Sequence, residues 1–208
     1  MAGTFPTAGF TATELKSNTK SRLTESISGK TQRVKSGAQY FSLKLKSPPL
    51  NRTDFNAIYS FIIQQDGQVE SFNIVPPEIS STTGTMTGTV TTANVTSVDP
   101  SMNQSAGSVA VGITDDGTPS GTLKKGDLIK FSNHDKVYML VDDLTLANDS
   151  AVKQMSFFPP LVTGITGGST TVTYNNVPFK VFFTTDELSY EVQKNGKYYY
   201  EISVREEI

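Results

Sequence analysis

Few residues in this chain have the types and spacing that chemistry needs. The single histidine, His134, stands in Ser132-Asn133-His134-Asp135, and there is no cysteine. A side chain titrating near neutrality serves as general base only with an orienting partner and a group to activate. No second histidine and no Gly-x-Ser-x-Gly elbow accompanies it, and short polar residues are what a turn selects. His134 is therefore read as a turn residue without an orienting chain, and no catalytic residue is expected.

Adjacent acids occur at Asp115-Asp116, Asp142-Asp143 and Glu206-Glu207. Neighbours on a strand point to opposite faces, so each pair reads as a solvated edge. Asp115-Asp116-Gly117 lacks the alternating ligands and distal glutamate of a calcium loop. Glycosidase carboxylates can lie far apart in sequence, and that option stays open without support. Gly164-Ile165-Thr166-Gly167-Gly168 fits neither a P-loop nor a dinucleotide fingerprint and reads as a turn. No metal and no cofactor are expected.

Charge is more informative. Residues 1–46 hold eight Lys or Arg against two acids, and the remaining 162 hold ten against eighteen, within a net charge of −2. The basic side chains Lys16, Lys20, Arg22, Lys30, Arg33 and Lys35 carry no interleaved aromatics, so no sequence-specific nucleic-acid contact is expected. They read as a solvated arm, as a segment folded onto the acidic body of the chain, or as a surface that docks on an acidic neighbour. At the other end Tyr198, Tyr199 and Tyr200 run in succession. Period two sends Tyr198 and Tyr200 to the core with Ile202 and Val204, and leaves Tyr199 outward with Glu201 to grip a sugar or a partner.

These residues must be held by β-structure. The 208 residues include 27 Thr and 22 Ser with 16 Gly and 10 Pro, a composition of strands and turns. With 36% hydrophobic and 18% charged residues the chain falls outside the disordered regime. No apolar run approaches a spanning helix and the first ten residues lack a signal-peptide pattern, so a soluble, unprocessed chain without a membrane span is expected.

Residues 1–12 read as an extended arm that orders only against something else, and 13–35 as weak strands at best. In 39–46, Phe41, Leu43 and Leu45 alternate with Ser42, Lys44 and Lys46, the mark of a half-buried strand. A helix over 51–65 follows from Phe55, Ile58, Tyr59 and Ile62 at i, i+3, i+4 and i+7, capped by Asn51 with Asp54 and stopped by Gly67. Further strands are expected over 69–75, 127–131, 136–141, 154–158, 170–174, 177–183, 189–193 and 198–204. Pro-Pro pairs at 48–49, 76–77 and 159–160 end three of the strands. The Thr-rich stretch 79–121 reads as an inserted segment with a weak hairpin over 85–91, and Asn195-Gly196 as a type I′ turn. The domain expectation is an arm 1–12, a body of 13–78 and 122–208, and the insert 79–121. The fold class is a mainly antiparallel β-sandwich with one packed helix and an inserted β-hairpin-rich segment.

The run Ser36-Gly37-Ala38-Gln39-Tyr40-Phe41-Ser42-Leu43-Lys44-Leu45-Lys46-Ser47-Pro48-Pro49-Leu50, followed by 55–67 and Glu70-Ser71-Phe72, resembles tail structural proteins of bacteriophages. Residues 125–131 with Lys136-Val137-Tyr138-Met139 are similar to the inserted β-segment such proteins carry. The ending from Tyr198 to Glu206 resembles the terminal strand of distal-tail and minor-tail proteins. The resemblance implies a non-enzymatic virion protein, assembled in the host bacterial cytoplasm into a homo-oligomeric ring, with a hexamer favoured. Its place would be the distal tail, baseplate or tail-tube adaptor, and its partners other tail-tube, baseplate or fibre proteins. Lys16, Lys20, Arg22, Lys30, Arg33 and Lys35 are then the expected subunit-docking residues. The competing expectations are a head-to-tail connector, a fibre-attachment protein, or a carbohydrate-binding β-sandwich, against which the absence of Trp counts.

Overall fold

The computed structural model describes residues 3–6, 9–93, 109–114, 119–147, 151–187 and 189–208. In chain order the elements are β1 (Ala12–Asn18), β2 (Ser21–Glu25), β3 (Thr31–Lys35), β4 (Tyr40–Lys46), α1 (Arg52–Gln64), β5 (Phe72–Ile74), β6 (Val90–Thr91), β7 (Val109–Thr114) and β8 (Gly121–Leu123). They continue as β9 (Leu128–Phe131), β10 (Val137–Leu140), β11 (Leu144–Leu146), β12 (Val152–Phe158), β13 (Thr171–Thr173), β14 (Phe179–Phe183), β15 (Tyr190–Val192) and β16 (Tyr198–Glu206). The chain is mainly β, with antiparallel sheets and a single helix among the described residues, as the β-sandwich class requires.

Contacts divide the chain into two compact units. One holds residues 6–71 and 181–207; the other holds 72–180 with the short stretch ending at Phe5. In the first unit β4 pairs with β1 on one side and β16 on the other, β16 pairs with β14, and β15 adds to the start of β16. Phe41, Leu43 and Leu45 of β4 are buried with Ile202 and Val204 of β16, while Lys46 and Glu201 stay exposed, so period two held where one face meets a core. Helix α1 forms as its apolar stripe dictates: Phe55, Ile58 and Ile62 are buried and the Asn51 side chain accepts the Asp54 N–H at 2.9 Å. Phe55 stacks on Tyr198 at 4.7 Å and lies 4.8 Å from Tyr190, which fixes the helix on the β15–β16 ribbon.

Strands β1, β2 and β3 exceed the weak tendency expected for 13–35. Strand β1 is recruited by β4, with Leu15 opposite Leu43. Among the described residues strands β2 and β3 pair only with each other. The turn before β16 also differs from expectation: the Gly196 N–H donates to Gln193 O, and Gly196 has φ +73° while Asn195 is not in the left-handed region. That is a type I turn closed by a glycine bulge, which needs one positive φ where type I′ needs two.

In the second unit six strands run in the order β6-β13-β9-β10-β12-β7. Thr92 bridges to Ile113 and the Ala93 N–H donates to Gly112 O at 2.9 Å, so the two edges meet and the sheet closes on itself. Phe131, Tyr138 and Phe157 pack edge to face in its core at 5.0–5.5 Å. Residues 79–121 supply β6 and β7 to this same sheet. The segment 85–91 does not fold back on itself as the expected hairpin; Thr85 donates to Thr122 O and Thr87 bridges Ser120. The crossing is close enough that a Cβ on Gly84 would overlap Thr122 O and one on Gly121, at φ +112°, would overlap Thr85 O. Gly84→Ala is therefore expected to destabilise the chain by about 3 kcal/mol or more, because the obstacle is paired backbone and cannot swing aside. Chemical denaturation of the two proteins checks this, and equal midpoints would refute the crossing.

Residues 3–6 of the expected arm are tied to the chain itself. Phe5 is buried 6.0 Å from the Phe72 ring, its N–H donates to Asn73 O, and the Asn73 N–H donates to Gly3 O. One aromatic side chain in an otherwise small, polar stretch is enough to pin it.

Candidate functional site

The expected docking residues lie on β1, the β2–β3 hairpin and its turns. Every residue of β2 and β3 is exposed. Directly opposed residues share a face, so Leu23 sits with Arg33 and Arg22 with Val34. Period two then adds Lys35, opposite Ser21, to the Leu23–Arg33 face. Lys30 closes the tip, where the Ser26 N–H donates to Lys30 O and Gly29 adopts φ +78°. Lys20 lies at the base, its side chain 3.2 Å from where a Cβ on Gly37 would stand. Lys16 is set apart on β1, 3.2 Å from Glu14. Five of the six cations are thus gathered on one projection, over both of its faces, and Lys16 stands apart from them.

Apolar side chains share that projection: Leu23 is 65% exposed, Ile27 110% and Val34 61%. A two-stranded ribbon with neither face covered is marginal in water. Cationic heads with apolar side chains between them form a surface suited to an acidic, partly apolar partner. The sequence shows Leu23, Ile27 and Val34 in a Ser/Thr/Lys background that suggests only weak strands, and it assigns the docking role to the charges alone.

His134 is not the bare turn residue expected. The Val162 N–H donates to the Tyr138 hydroxyl at 3.2 Å, and that hydroxyl lies 2.7 Å from His134 Nε2. His134 Nδ1 lies 2.7 Å from Asn133 Oδ1, and the Asn133 amide donates to Gly164 O at 2.7 Å. Donors and acceptors match along the whole relay only if Tyr138 donates to Nε2 and the proton sits on Nδ1, the neutral imidazole. Burial, then the positive charge of Lys130, lowers the His134 pKa to about 4, against the raising effect of Asp135. Asp135 is itself held low, first by the hydrogen bond from Lys130 and also by Lys180. The relay ties the β9–β10 turn to 162–164.

The unfolded chain binds a proton at His134 before the folded chain does. Stability from this group is full above the ordinary pKa near 6.5 and is lost as pH falls toward about 4. Melting temperature should fall more steeply between about pH 7 and 4.5 for the natural chain than for His134→Gln, and parallel curves would contradict the assignment.

The adjacent acids separate by environment. Asp143 accepts from Lys124 Nζ at 2.8 Å and from the Lys125 N–H at 2.9 Å, and the Lys124 bond holds its pKa below the ordinary value. Glu206 is no solvated edge: it is 1% exposed and accepts the Phe41 N–H at 2.9 Å. Asp115 and Asp116 lie outside the described residues. Asp127, not singled out from sequence, accepts from the Thr82 hydroxyl, from Thr83 N–H and hydroxyl, and from the Lys124 N–H. Burial raises its pKa but these bonds outweigh it, so the carboxylate stays ionised and acts as a structural staple. Among the described residues no three His, Cys, Asp or Glu gather in a way that would hold a metal. No helix there is long and apolar enough to cross a membrane.

Among the described residues the most distinctive surface is this basic projection. Residues 84–177 match a family model described as the B domain of the distal tail protein pb9. The distal tail protein pb9 of Escherichia phage T5 is 24% identical over 195 residues, covering 93% of this chain and 89% of that protein. The chain resembles a bacteriophage distal tail protein. The tail-protein match to the B domain falls wholly inside the second unit, around its closed sheet. The similarity to the whole distal tail protein extends beyond it over most of the chain, so both units share in the resemblance.

Proposed function

We propose that this protein is a non-enzymatic structural subunit of a bacteriophage tail, forming a homo-oligomeric ring in the distal tail, baseplate or tail-tube adaptor. The observation that carries the reading is similarity to a distal tail protein along 93% of the chain. In this reading residues 72–180 are a domain inserted into the ring-forming unit, with 79–121 as part of it. The β2–β3 hairpin reaches the next subunit, its cations meeting an acidic body and its exposed Leu23, Ile27 and Val34 becoming covered. A heterologous contact of this kind closes into a ring when the rotation between copies divides a full turn. The protein is made in the host cytoplasm and ends in the virion tail, where neighbouring tube, baseplate or fibre proteins are its partners.

Mass spectrometry of purified particles from cells expressing the phage genome tests the assignment. The chain should be present in intact virions and in isolated tails, and its absence from both would refute the reading.

A further inference from the structure

Outside the hairpin and the His134 relay, the first unit carries a cleft of about 400 Å³ beside β15 and β16. Tyr190, Tyr199, Glu191, Glu201, Lys46 and Thr11 are among the residues lining it. Its construction follows from register. Glu191 of β15 stands opposite Tyr199 of β16, and Lys46 of β4 stands opposite Glu201. Leu45 and Ile202 point inward and are buried, so Lys46, Tyr199 and Glu201 belong to the outer face.

The lining is aromatic, hydroxyl-bearing or charged, with no aliphatic side chain. The lining sets Lys46 against Glu191 and Glu201, and Glu201 is ion-paired to Lys46 and, from outside the lining, to Lys44. Among the described residues Glu191 has no ion-pair partner, which leaves its carboxylate open as a strong acceptor. An anion would meet two carboxylates, and an aliphatic ligand would find no matching wall. A neutral ligand with one apolar face and several hydroxyls suits tyrosine rings beside hydrogen-bonding carboxylates. The volume lies within the range of about 300–1,000 Å³ common to small-molecule sites.

We infer that this cleft binds a sugar unit, with a tyrosine ring against the sugar's apolar face and Glu191 accepting from its hydroxyls. The site lies wholly in the first unit and needs neither the ring nor the hairpin.

The test titrates the full-length chain with galactose, glucose and N-acetylglucosamine, with choline as a cationic control, following tyrosine ring signals by NMR. At least one sugar should bind saturably with a millimolar dissociation constant, and Tyr199→Ala and Glu191→Gln should each weaken it by about tenfold. Tyr199→Phe keeps the ring and should keep binding within about threefold, which separates loss of the stacking surface from loss of the fold. Absence of saturation by all three sugars to about 100 mM, tighter binding of choline, or undiminished binding in both weakening variants would overturn the inference.

Discussion

Ile58→Asp is expected to abolish cooperative folding of the unit that contains α1. Ile58 is 2% exposed on the helix face shared with Phe55 and Ile62. An aspartate there either carries an unpaired charge into the core or takes up a proton to avoid it, at a cost above about 4 kcal/mol. Whole domains have about 5–15 kcal/mol to lose. Ile58→Val removes one methyl from the same place and should cost only about 1 kcal/mol. Near-UV circular dichroism and thermal melting separate the outcomes, and native melting for the aspartate variant would mean that the helix is not packed as described.

Charge reversal of Lys20, Arg22 and Arg33 to glutamate is expected to leave the monomer intact while weakening assembly by about tenfold or more. Arg22 and Arg33 are exposed on a ribbon that pairs only with itself, and Lys20 is exposed at its base. Exposed substitutions of this kind usually change stability by no more than about 0.5 kcal/mol. Salt should weaken the proposed assembly of the natural chain in the same direction, since exposed charges are screened beyond about 8 Å at physiological ionic strength. The apolar share of the contact is expected to persist in salt, so Leu23→Ser with Val34→Ser should weaken association even where the charges are screened. Sedimentation velocity on these variants checks both terms, and an unchanged assembly in the charge-reversed chain at low salt would remove the electrostatic contact.

Legibility followed locality. The helix was readable because its stripe and its Asn51 cap lie within fifteen residues, and β9 and β10 were readable because five polar residues separate two apolar runs. Strand β4 announced itself because one of its faces is buried. What escaped was set at long range. The closure through Ala93 and Gly112, the crossing of Gly84 over Thr122, and the capping of Asp127 by Thr82 join segments that no local pattern connects. Glu206 looked like half of a solvated acid pair, yet its partner is the backbone of Phe41, 165 positions away. The docking cations were visible as a cluster in the sequence. The hairpin that spreads them over two faces was not, because a ribbon without a core leaves no alternation of apolar and polar residues.

The native mass of the purified full-length chain tests the proposed ring most directly. At about tens of micromolar and low salt, a micromolar contact between copies predicts a discrete closed assembly, with six times the 22.5 kDa chain mass favoured. A single 22.5 kDa species at every concentration would contradict it.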